Sequence, residues 1–336
     1  MSLARPHDPC DRFATMRWWA MIFGVLSSAI ACERLPRAVA RNVAREPSPS
    51  YVVVRPPDPP TLIEAAPFST CVPTLASGQH EIEHRGTTRS FVLDVPEGFG
   101  LRPLVLAFHG WGGDPDQLEG TTRIATAALK RGWVVARPIG FNKSFDAGAC
   151  CGLAAESKVD DVGLAREIVA ALARAACVDP ARVYATGFSN GGFLAHRLGC
   201  EASDVFTAVA SVAGTLGIER CEPKRAVSVL QIHGKADGIV PFAGNSSKKW
   251  SSVAFTVDTW TRALGCAAGA AEEVYARGAA KCVRNSACTD DVEVTLCRDE
   301  KAAHTWPGGP KSFGYGGSQD LDATETILGF FERHAR

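Results

Sequence analysis

Residues 182–200 read RVYATGFSNGGFLAHRLGC, and this stretch decides the fold that the sequence predicts. Its first five residues, 182–186, are typical of a short buried strand. Residues 190–200 have the composition of a helix, and a glycine-rich turn joins the two. Ser189 lies in that turn, within the pattern Gly-x-Ser-x-Gly. A serine held on a tight turn between a strand and a helix is a candidate nucleophile.

The glycines on either side of the serine fit this interpretation. Gly187 and Gly191 leave room where the strand and the helix cross, because a side chain there would collide with backbone. The helix would begin directly after Ser189, and its N-terminal N–H groups favour negative charge that develops nearby. A glycine-rich turn that merely contains a serine is the alternative, and the pentad alone does not exclude it.

The rest of the chain alternates strand patterns with helix patterns. Continuous apolar runs such as PLVLAFHG, residues 103–110, are typical of strands buried on both faces. Amphipathic stretches such as 160–177 predict helices. This alternation predicts an α/β fold with a mainly parallel central sheet and helices on both faces. Strands are expected at 89–95, 103–110, 133–137 and 182–186 and in two runs that end near Gly214 and Gly234, and helices near 117–130 and at 160–177, 190–200, 252–264 and 321–334.

An acid and a base follow the serine in the order that a catalytic triad on such a sheet requires. Asp237 lies in the loop after the apolar run VSVLQIHG, and His304 lies in the loop before the last predicted helix. We expect His304 to take the proton of Ser189, and Asp237 to orient the imidazole. The alternatives are a turn aspartate and a surface histidine. Three other histidines are less well placed and are expected to be structural or supporting: His109, His196 and His233.

Two backbone N–H groups are expected to form an oxyanion hole. One belongs to Asn190, directly after the serine, and the other to Trp111, in the loop after the strand that ends AFHG. Trp111 and Trp306 are also expected to contact substrate, because Trp111 lies in the predicted oxyanion loop and Trp306 lies two residues after the predicted base; Phe188 in the motif is included with them. For Trp306, burial as scaffold for the histidine loop is an equally good interpretation.

Charge and cysteine content limit the partners. Lys plus Arg and Asp plus Glu both number 36 in 336 residues, so the formal net charge is zero and nothing points to nucleic acid. The 12 cysteines form no Cys-x-x-Cys pairs, which argues against zinc, and no metal is expected. Scattered cysteines fit disulfides that form in an oxidising compartment.

The ten cysteines from Cys71 to Cys297 are expected to be largely disulfide-bonded. Cys150 and Cys151 are adjacent in the chain, and each is expected to form a disulfide with a separate partner. The sequence does not determine connectivity. The proposed pairs are Cys200–Cys221, Cys266–Cys288 and, across a hairpin, Cys282–Cys297.

Three regions are predicted along the chain. Residues 1–32 have a basic start, an apolar core and small residues, as an export signal does, and the apolar run is too short to span a bilayer. Cys32 ends a lipoprotein-like box, so a lipid on it is the one predicted route to a membrane. Residues 33–69 are rich in Pro and Arg and predict a disordered linker. Residues 70–336 are expected to form one catalytic domain of a secreted protein, or of a lipid-anchored one.

Several motifs together resemble secreted serine esterases of the feruloyl esterase and polyhydroxybutyrate depolymerase type. They are PLVLAFHGWGG, CCG, VDDVG, CVDPARVYATGFSNGG, IHGKAD and HTWPGG, and CVPTLASGQHEIEHRGTTRSFVLDVPEGF is similar to the opening of feruloyl esterases. The resemblance covers almost all of residues 71–336. It implies an α/β-hydrolase fold, no cofactor, and a triad of Ser189, Asp237 and His304.

The resemblance leaves the substrate open. Members of this family cleave feruloyl esters, acetyl esters of xylan, or polyester chains. We favour feruloyl or acetyl groups on plant polysaccharide, because no polyester-binding domain follows the catalytic pattern. A polyester depolymerase is the alternative in the same class, and a catalytically inactive carbohydrate-binding lipoprotein is the alternative in another. A monomer is expected.

Overall fold

A central sheet of eleven strands organises the fold. The computed structural model describes residues 52–54, 71–309 and 318–336. The strands are β1 (Val52–Val54), β2 (Gly78–His84), β3 (Thr87–Asp94), β4 (Arg102–Phe108), β5 (Val134–Pro138), β6 (Val178–Phe188), β7 (Ala208–Val212), β8 (Ser228–Gly234), β9 (Glu272–Arg277), β10 (Ala280–Asn285) and β11 (Val294–Asp299). Their order across the sheet is β1-β2-β3-β5-β4-β6-β7-β8-β11-β10-β9.

Helices connect these strands. They are α1 (Pro115–Thr122), α2 (Ile124–Lys130), α3 (Gly152–Glu156), α4 (Asp161–Ala175), α5 (Asn190–Glu201), α6 (Val253–Ala263) and α7 (Ala323–Glu332). Each helix predicted from the sequence has a counterpart among them, whereas the short α3 was not predicted.

Six neighbouring strands, β5-β4-β6-β7-β8-β11, run parallel to one another. Every residue of β4, β7 and β8 is buried, as expected for strands that are covered on both faces. The predicted mainly parallel sheet is therefore confirmed. Because the carboxyl ends of parallel strands meet at one edge, the loops that follow β4, β6, β8 and β11 are neighbours.

Alternate residues of the central strands face opposite sides of the sheet. In β4, Leu104 and Leu106 belong to one hydrophobic core, and Val105 and Ala107 belong to a second. The first core takes side chains from α4, α5 and α6, and the second takes them from α1, α2 and α7. Helices thus cover both faces, as predicted.

The single helical stretch expected near 117–130 is two helices. Arg123 separates α1 from α2 and has a left-handed backbone, with φ 56°. The carboxylate of Glu119 accepts hydrogen bonds from the N–H groups of Ala125 and Thr126, at 2.8 and 3.0 Å. These donors belong to the first turn of α2, where N–H groups have no partner within the helix. The glutamate therefore stabilises a second helix start that periodicity does not reveal.

Strands at both margins of the sheet were not predicted. In β2 the inward positions are held by His80, Ile82 and His84, so two polar residues conceal the apolar face. Strand β9 is an edge strand whose six residues are almost all exposed. Charged side chains are common on such edges, where they discourage pairing with other chains.

The predicted linker, residues 33–69, contains one described strand. Residues 52–54 form β1, which pairs in parallel with β2. The backbone at these residues therefore belongs to the sheet and is not free linker. The predicted export signal, Cys32 and the rest of the linker lie outside the described residues. Within the part of the chain that the structure describes, no helix is both long and apolar enough to span a membrane.

Five disulfides join the ten described cysteines. The three proposed pairs, Cys200–Cys221, Cys266–Cys288 and Cys282–Cys297, are confirmed. Cys282 and Cys297 are directly paired neighbours on β10 and β11, so this bond does cross a hairpin. The expectation for Cys150 and Cys151 is wrong, because they bond to each other. The fifth pair, Cys71–Cys177, was not predicted and joins positions 106 residues apart.

Replacing Cys71 and Cys177 together with serine should lower the free energy of unfolding by about 4–5 kcal/mol, because a cross-link over roughly 100 residues strongly restricts the unfolded chain. The matched control is the double serine variant of Cys282 and Cys297, whose loop of 15 residues predicts a loss of about 3 kcal/mol. Denaturant unfolding of both variants measures the difference. A larger loss from the shorter loop would contradict the chain-entropy explanation.

Candidate active site

Ser189 lies at a sharp turn between β6 and α5, as the sequence predicted. Its backbone has φ 54° and ψ −117°, a conformation that is unfavourable for a residue with a side chain. Its N–H donates to the carbonyl of Val212 on β7 at 2.8 Å, and its carbonyl accepts the first hydrogen bond of α5. A Cβ on Gly191 would collide with the carbonyl of Phe108, and one on Gly187 would collide with the backbone of Gly191. Only glycine at both positions permits this crossing.

Asp237 and His304 meet at the same edge of the sheet. Asp237 follows β8 and His304 follows β11, which is the next strand in the sheet. Nδ1 of His304 lies 2.8 Å from Oδ2 of Asp237. A carboxylate can only accept, so Nδ1 carries the ring proton and Nε2 keeps a lone pair. The histidine is thus oriented as a base requires.

The carboxylate of Asp237 is buried and yet ionised. Burial by itself would raise the pKa of Asp237, but hydrogen bonds from His233 and His304 outweigh it and hold the pKa well below its usual range. Oδ1 also accepts hydrogen bonds from the N–H groups of Ile239 and Val240, at 2.9 and 2.8 Å. Asp237 is therefore ionised near pH 7.

The loop that carries Trp111 lies beside the serine. A Cβ placed on Gly110 would stand 3.4 Å from Cβ of Ser189, so the two backbones are close neighbours. His109 holds this loop in place: the N–H of Gly140 donates to its Nε2 at 3.0 Å, and its Nδ1–H donates to the carbonyl of Gly110 at 2.8 Å. His109 thus has a structural role, as expected.

The two backbone N–H groups predicted to form an oxyanion hole have no backbone partner among the described residues. Within residues 71–309 and 318–336, the N–H groups of Trp111 and Asn190 donate to no backbone acceptor. The side chain of Asn190 fixes its own backbone, because Oδ1 accepts from the N–H of Phe145 at 2.8 Å and Nδ2 donates to the Phe145 carbonyl at 2.9 Å. The sequence motif predicted a role for the backbone N–H of Asn190 alone, and the bridging role of its side chain was missed. The partner of this side chain lies 45 residues earlier in the chain, so no local pattern reveals the contact.

The three aromatic candidates occupy different environments. Trp111 is 67% exposed, whereas Trp306 is 3% exposed. The indole N–H of Trp306 donates to Oγ1 of Thr324 on α7 at 2.9 Å, so it is satisfied inside the protein. The ring centroid of Phe188 lies 4.9 Å from that of His304 and 6.5 Å from that of Trp306. Of the two tryptophans, only Trp111 presents a large surface to solvent.

A buried polar cluster lies behind the acid. Nε2 of His233 lies 3.4 Å from Oδ2 of Asp237, and Nδ1 of His233 lies 3.2 Å from the side-chain nitrogen of Gln231. Gln231 in turn contacts His196 on α5, which contacts Trp260 on α6. Burial lowers the pKa of His196 to about 4, so this histidine is neutral near pH 7.

Among the described positions, no group of three or more His, Cys, Asp or Glu side chains is arranged to hold a metal ion.

The sheet, the turn at Ser189 and the loops at its carboxyl edge define the class of α/β-hydrolases. Residues 89–246 match the family described as Esterase PHB depolymerase. The chain is 32% identical to the protein named "Putative esterase NocK" of Nocardia uniformis subsp. tsuyamanensis, over 86% of this chain and 89% of that protein. The chain therefore belongs to this family of carboxylic-ester hydrolases, which also includes feruloyl esterases.

One further relative and one solved structure are also similar to this chain. The chain is 28% identical to feruloyl esterase B of Piromyces equi, over 64% of this chain and 42% of that protein. The solved structure of acetyl xylan esterase from Aspergillus awamori superposes with a TM-score of 0.55 at 13% identity, over 76% of this chain and 99% of that one. At that identity the superposition supports the fold alone.

The buried His196 should make stability fall on acidification. Its pKa is about 4 when folded against a usual value of 6.5, so between these values the unfolded chain binds more protons. The free energy of unfolding should therefore decrease as the pH falls from 6.5 to 4, by up to about 3 kcal/mol from this residue. Urea unfolding as a function of pH measures it, with His196→Gln as the comparison. An equal slope in both proteins would contradict the assignment.

Proposed function

We propose that the protein is an exported serine carboxylesterase in which Ser189, Asp237 and His304 act as a catalytic triad. The hydrogen bond of 2.8 Å between His304 and Asp237 carries this proposal, because it leaves Nε2 of the histidine available as a base at the edge where the serine turn ends. Membership of an esterase family supports the same reaction.

In the proposed mechanism, Ser189 Oγ attacks the ester carbonyl and its proton passes to Nε2 of His304. The oxyanion that forms accepts hydrogen bonds from the N–H groups of Asn190 and Trp111. The carbonyl then re-forms, the bond to the alcohol breaks, and His304 returns the proton to the leaving oxygen. Water, deprotonated by His304, attacks the acyl-serine and releases the acid, while Asp237 stabilises the imidazolium in both halves.

The proposed substrates are feruloyl or acetyl esters of plant polysaccharide. The exposed Trp111 beside Gly110 supplies a face against which an aromatic acyl group can pack. A feruloyl esterase among the relatives supports the same class. A polyester depolymerase is the second candidate, and exposed apolar side chains at the carboxyl edge favour it: Trp111, Phe141, Leu153 and Ile239. Parallel assays on methyl ferulate, acetylated xylan and polyhydroxybutyrate distinguish the candidates.

Export is part of the proposal, with residues 70–336 as the catalytic domain. Five disulfides among the described cysteines support an oxidising compartment. Fractionation of cells that express the full chain, with Cys32→Ser as the control, separates a secreted protein from a lipid-anchored one.

Ser189→Ala and His304→Ala should each lower kcat by about three orders of magnitude or more, because the triad acts as one unit. For the same reason the double variant should be little worse than either single one. The wild-type rate should fall on acidification, since a protonated imidazole cannot accept the serine proton. Steady-state kinetics on 4-nitrophenyl acetate, with circular dichroism as a folding control, checks this. Undiminished hydrolysis by Ser189→Ala would refute the triad.

The two tryptophans should respond differently to truncation. Trp111→Ala should lower kcat/KM for methyl ferulate more than for methyl acetate, by about 0.5–1.5 kcal/mol of lost aromatic contact, or roughly 2- to 12-fold. Trp306→Ala should lower the melting temperature and reduce both rates equally, because its ring is buried and its N–H is bonded to Thr324. A selective loss on ferulate from Trp306→Ala would instead make Trp306 part of the acyl pocket.

A further inference from the structure

We propose that a buried chain of hydrogen bonds through Trp260, His196 and Gln231 fixes the ring proton of His233 on Nε2 and makes His233 the positioning residue for Asp237. This inference rests on the proposed function, in which Asp237 is the acid of the triad. The chain runs from α6 through α5 and β8 to the loop that holds the acid.

The first link fixes the protonation of His196. The indole nitrogen of Trp260 lies 3.0 Å from Nδ1 of His196. An indole N–H can only donate, so Nδ1 must be the accepting, unprotonated nitrogen. His196 is neutral, and its one ring proton is therefore on Nε2. That proton is directed at Oε1 of Gln231, which lies 2.7 Å away.

The second link fixes the orientation of the Gln231 amide. Its oxygen accepts from His196, and its nitrogen lies 3.0 Å from the carbonyl of Gly214 and 3.3 Å from that of Ile232. A flipped amide would set an oxygen against two carbonyl oxygens and an N–H against the N–H of His196. Contacts on both sides of the amide thus agree on a single orientation.

The third link fixes His233. Its Nδ1 faces the amide nitrogen of Gln231 at 3.2 Å. An amide nitrogen offers hydrogens and no acceptor, so Nδ1 of His233 must be unprotonated. The ring proton is then on Nε2, which lies 2.9 Å from the Val240 carbonyl and 3.4 Å from Oδ2 of Asp237.

These contacts close a ring around the carboxylate. His233 donates to the carbonyl of Val240, and the N–H of Val240 donates to Oδ1 of Asp237. Oδ2 lies between His233 on one side and His304 on the other. Rotation of the carboxylate would break at least two of these contacts. The carboxylate therefore points one lone pair at His304, which a merely solvated aspartate would not do.

The same chain explains why only one of the two histidines beside Asp237 is suited to be a base. His233 has its lone pair committed to Gln231 and its side chain wholly buried. The charged groups near it are Asp237 and, across the ring of Phe242, Lys235. His304 donates its Nδ1 proton to Asp237, and its Nε2 keeps a lone pair that is available to accept a proton. The asymmetry originates outside the triad, in the direction of one indole N–H.

The direct test is the position of the proton on His233. Nitrogen NMR of the full chain, labelled at the histidine rings and recorded at pH 8, distinguishes a protonated ring nitrogen from an unprotonated one. The assignment uses the signal that disappears in His233→Gln. We expect protonated Nε2 and unprotonated Nδ1. A proton on Nδ1, or on both nitrogens, would overturn the inference. This readout does not depend on esterase activity, so it tests the inference even if the proposed triad is wrong.

The functional test compares two substitutions of His233. Glutamine places an N–H near the position of Nε2, and leucine does not. His233→Leu should lower kcat by about 10²-fold with KM unchanged, because a misplaced acid affects the transition state alone. His233→Gln should recover most of that loss.

The matched control is His80→Leu. This substitution removes a buried histidine on β2, several strands away from β8 in the sheet, that forms a hydrogen bond with the carbonyl of Ala76. It should lower the melting temperature and leave kcat unchanged. Equal losses in the leucine and glutamine variants of His233, or wild-type kcat in both, would overturn the positioning role. Full activity of Ser189→Ala would refute the proposed function instead, and the NMR result would still stand.

Discussion

The crossing of β6 and α5 over the end of β4 is the contact on which the rest of the site depends. The carbonyl of Phe108 packs so closely on Gly191 that no side chain fits between them. This approach forces Ser189 into its unfavourable backbone conformation and sets its neighbours, Gly110 and Phe188, against it. The strain is local, and it is offset by a large amount of buried apolar surface on both faces of the sheet.

Two supports hold the two halves of the candidate site. On the side of Ser189, the amide of Asn190 and the imidazole of His109 form hydrogen bonds with loop backbone that has no sheet partner. On the side of the acid, the loop wraps its own N–H groups around Asp237, and two histidines complete the shell. In both halves, neutral hydrogen-bonding groups hold the residues of the candidate site in position. A buried carboxylate can remain charged there because donors replace the water that it lost.

Apolar patterning predicted the centre of this molecule and failed at its margins. The all-buried runs of β4, β7 and β8 are unmistakable in sequence, and so is the glycine pattern around Ser189. Strand β2 was missed because histidines occupy its inward face, and β9 because an edge strand needs no apolar face. The order of serine, acid and base along the chain located Asp237 and His304. The role of the Asn190 side chain depends on a partner 45 residues away, and the orientation of Gln231 depends on partners 17 and 35 residues away, which no local pattern encodes.

The insertion of β9 and β10 between β8 and β11 has a consequence for synthesis of the chain. The proposed acid leaves the ribosome 67 residues ahead of the proposed base, and strand β11 can pair with β8 only after the whole hairpin has been made. A nascent chain that ends before His304 therefore carries the serine and the acid of the proposed triad without its base. On that proposal, a product truncated before His304 is inert however well its first strands have folded.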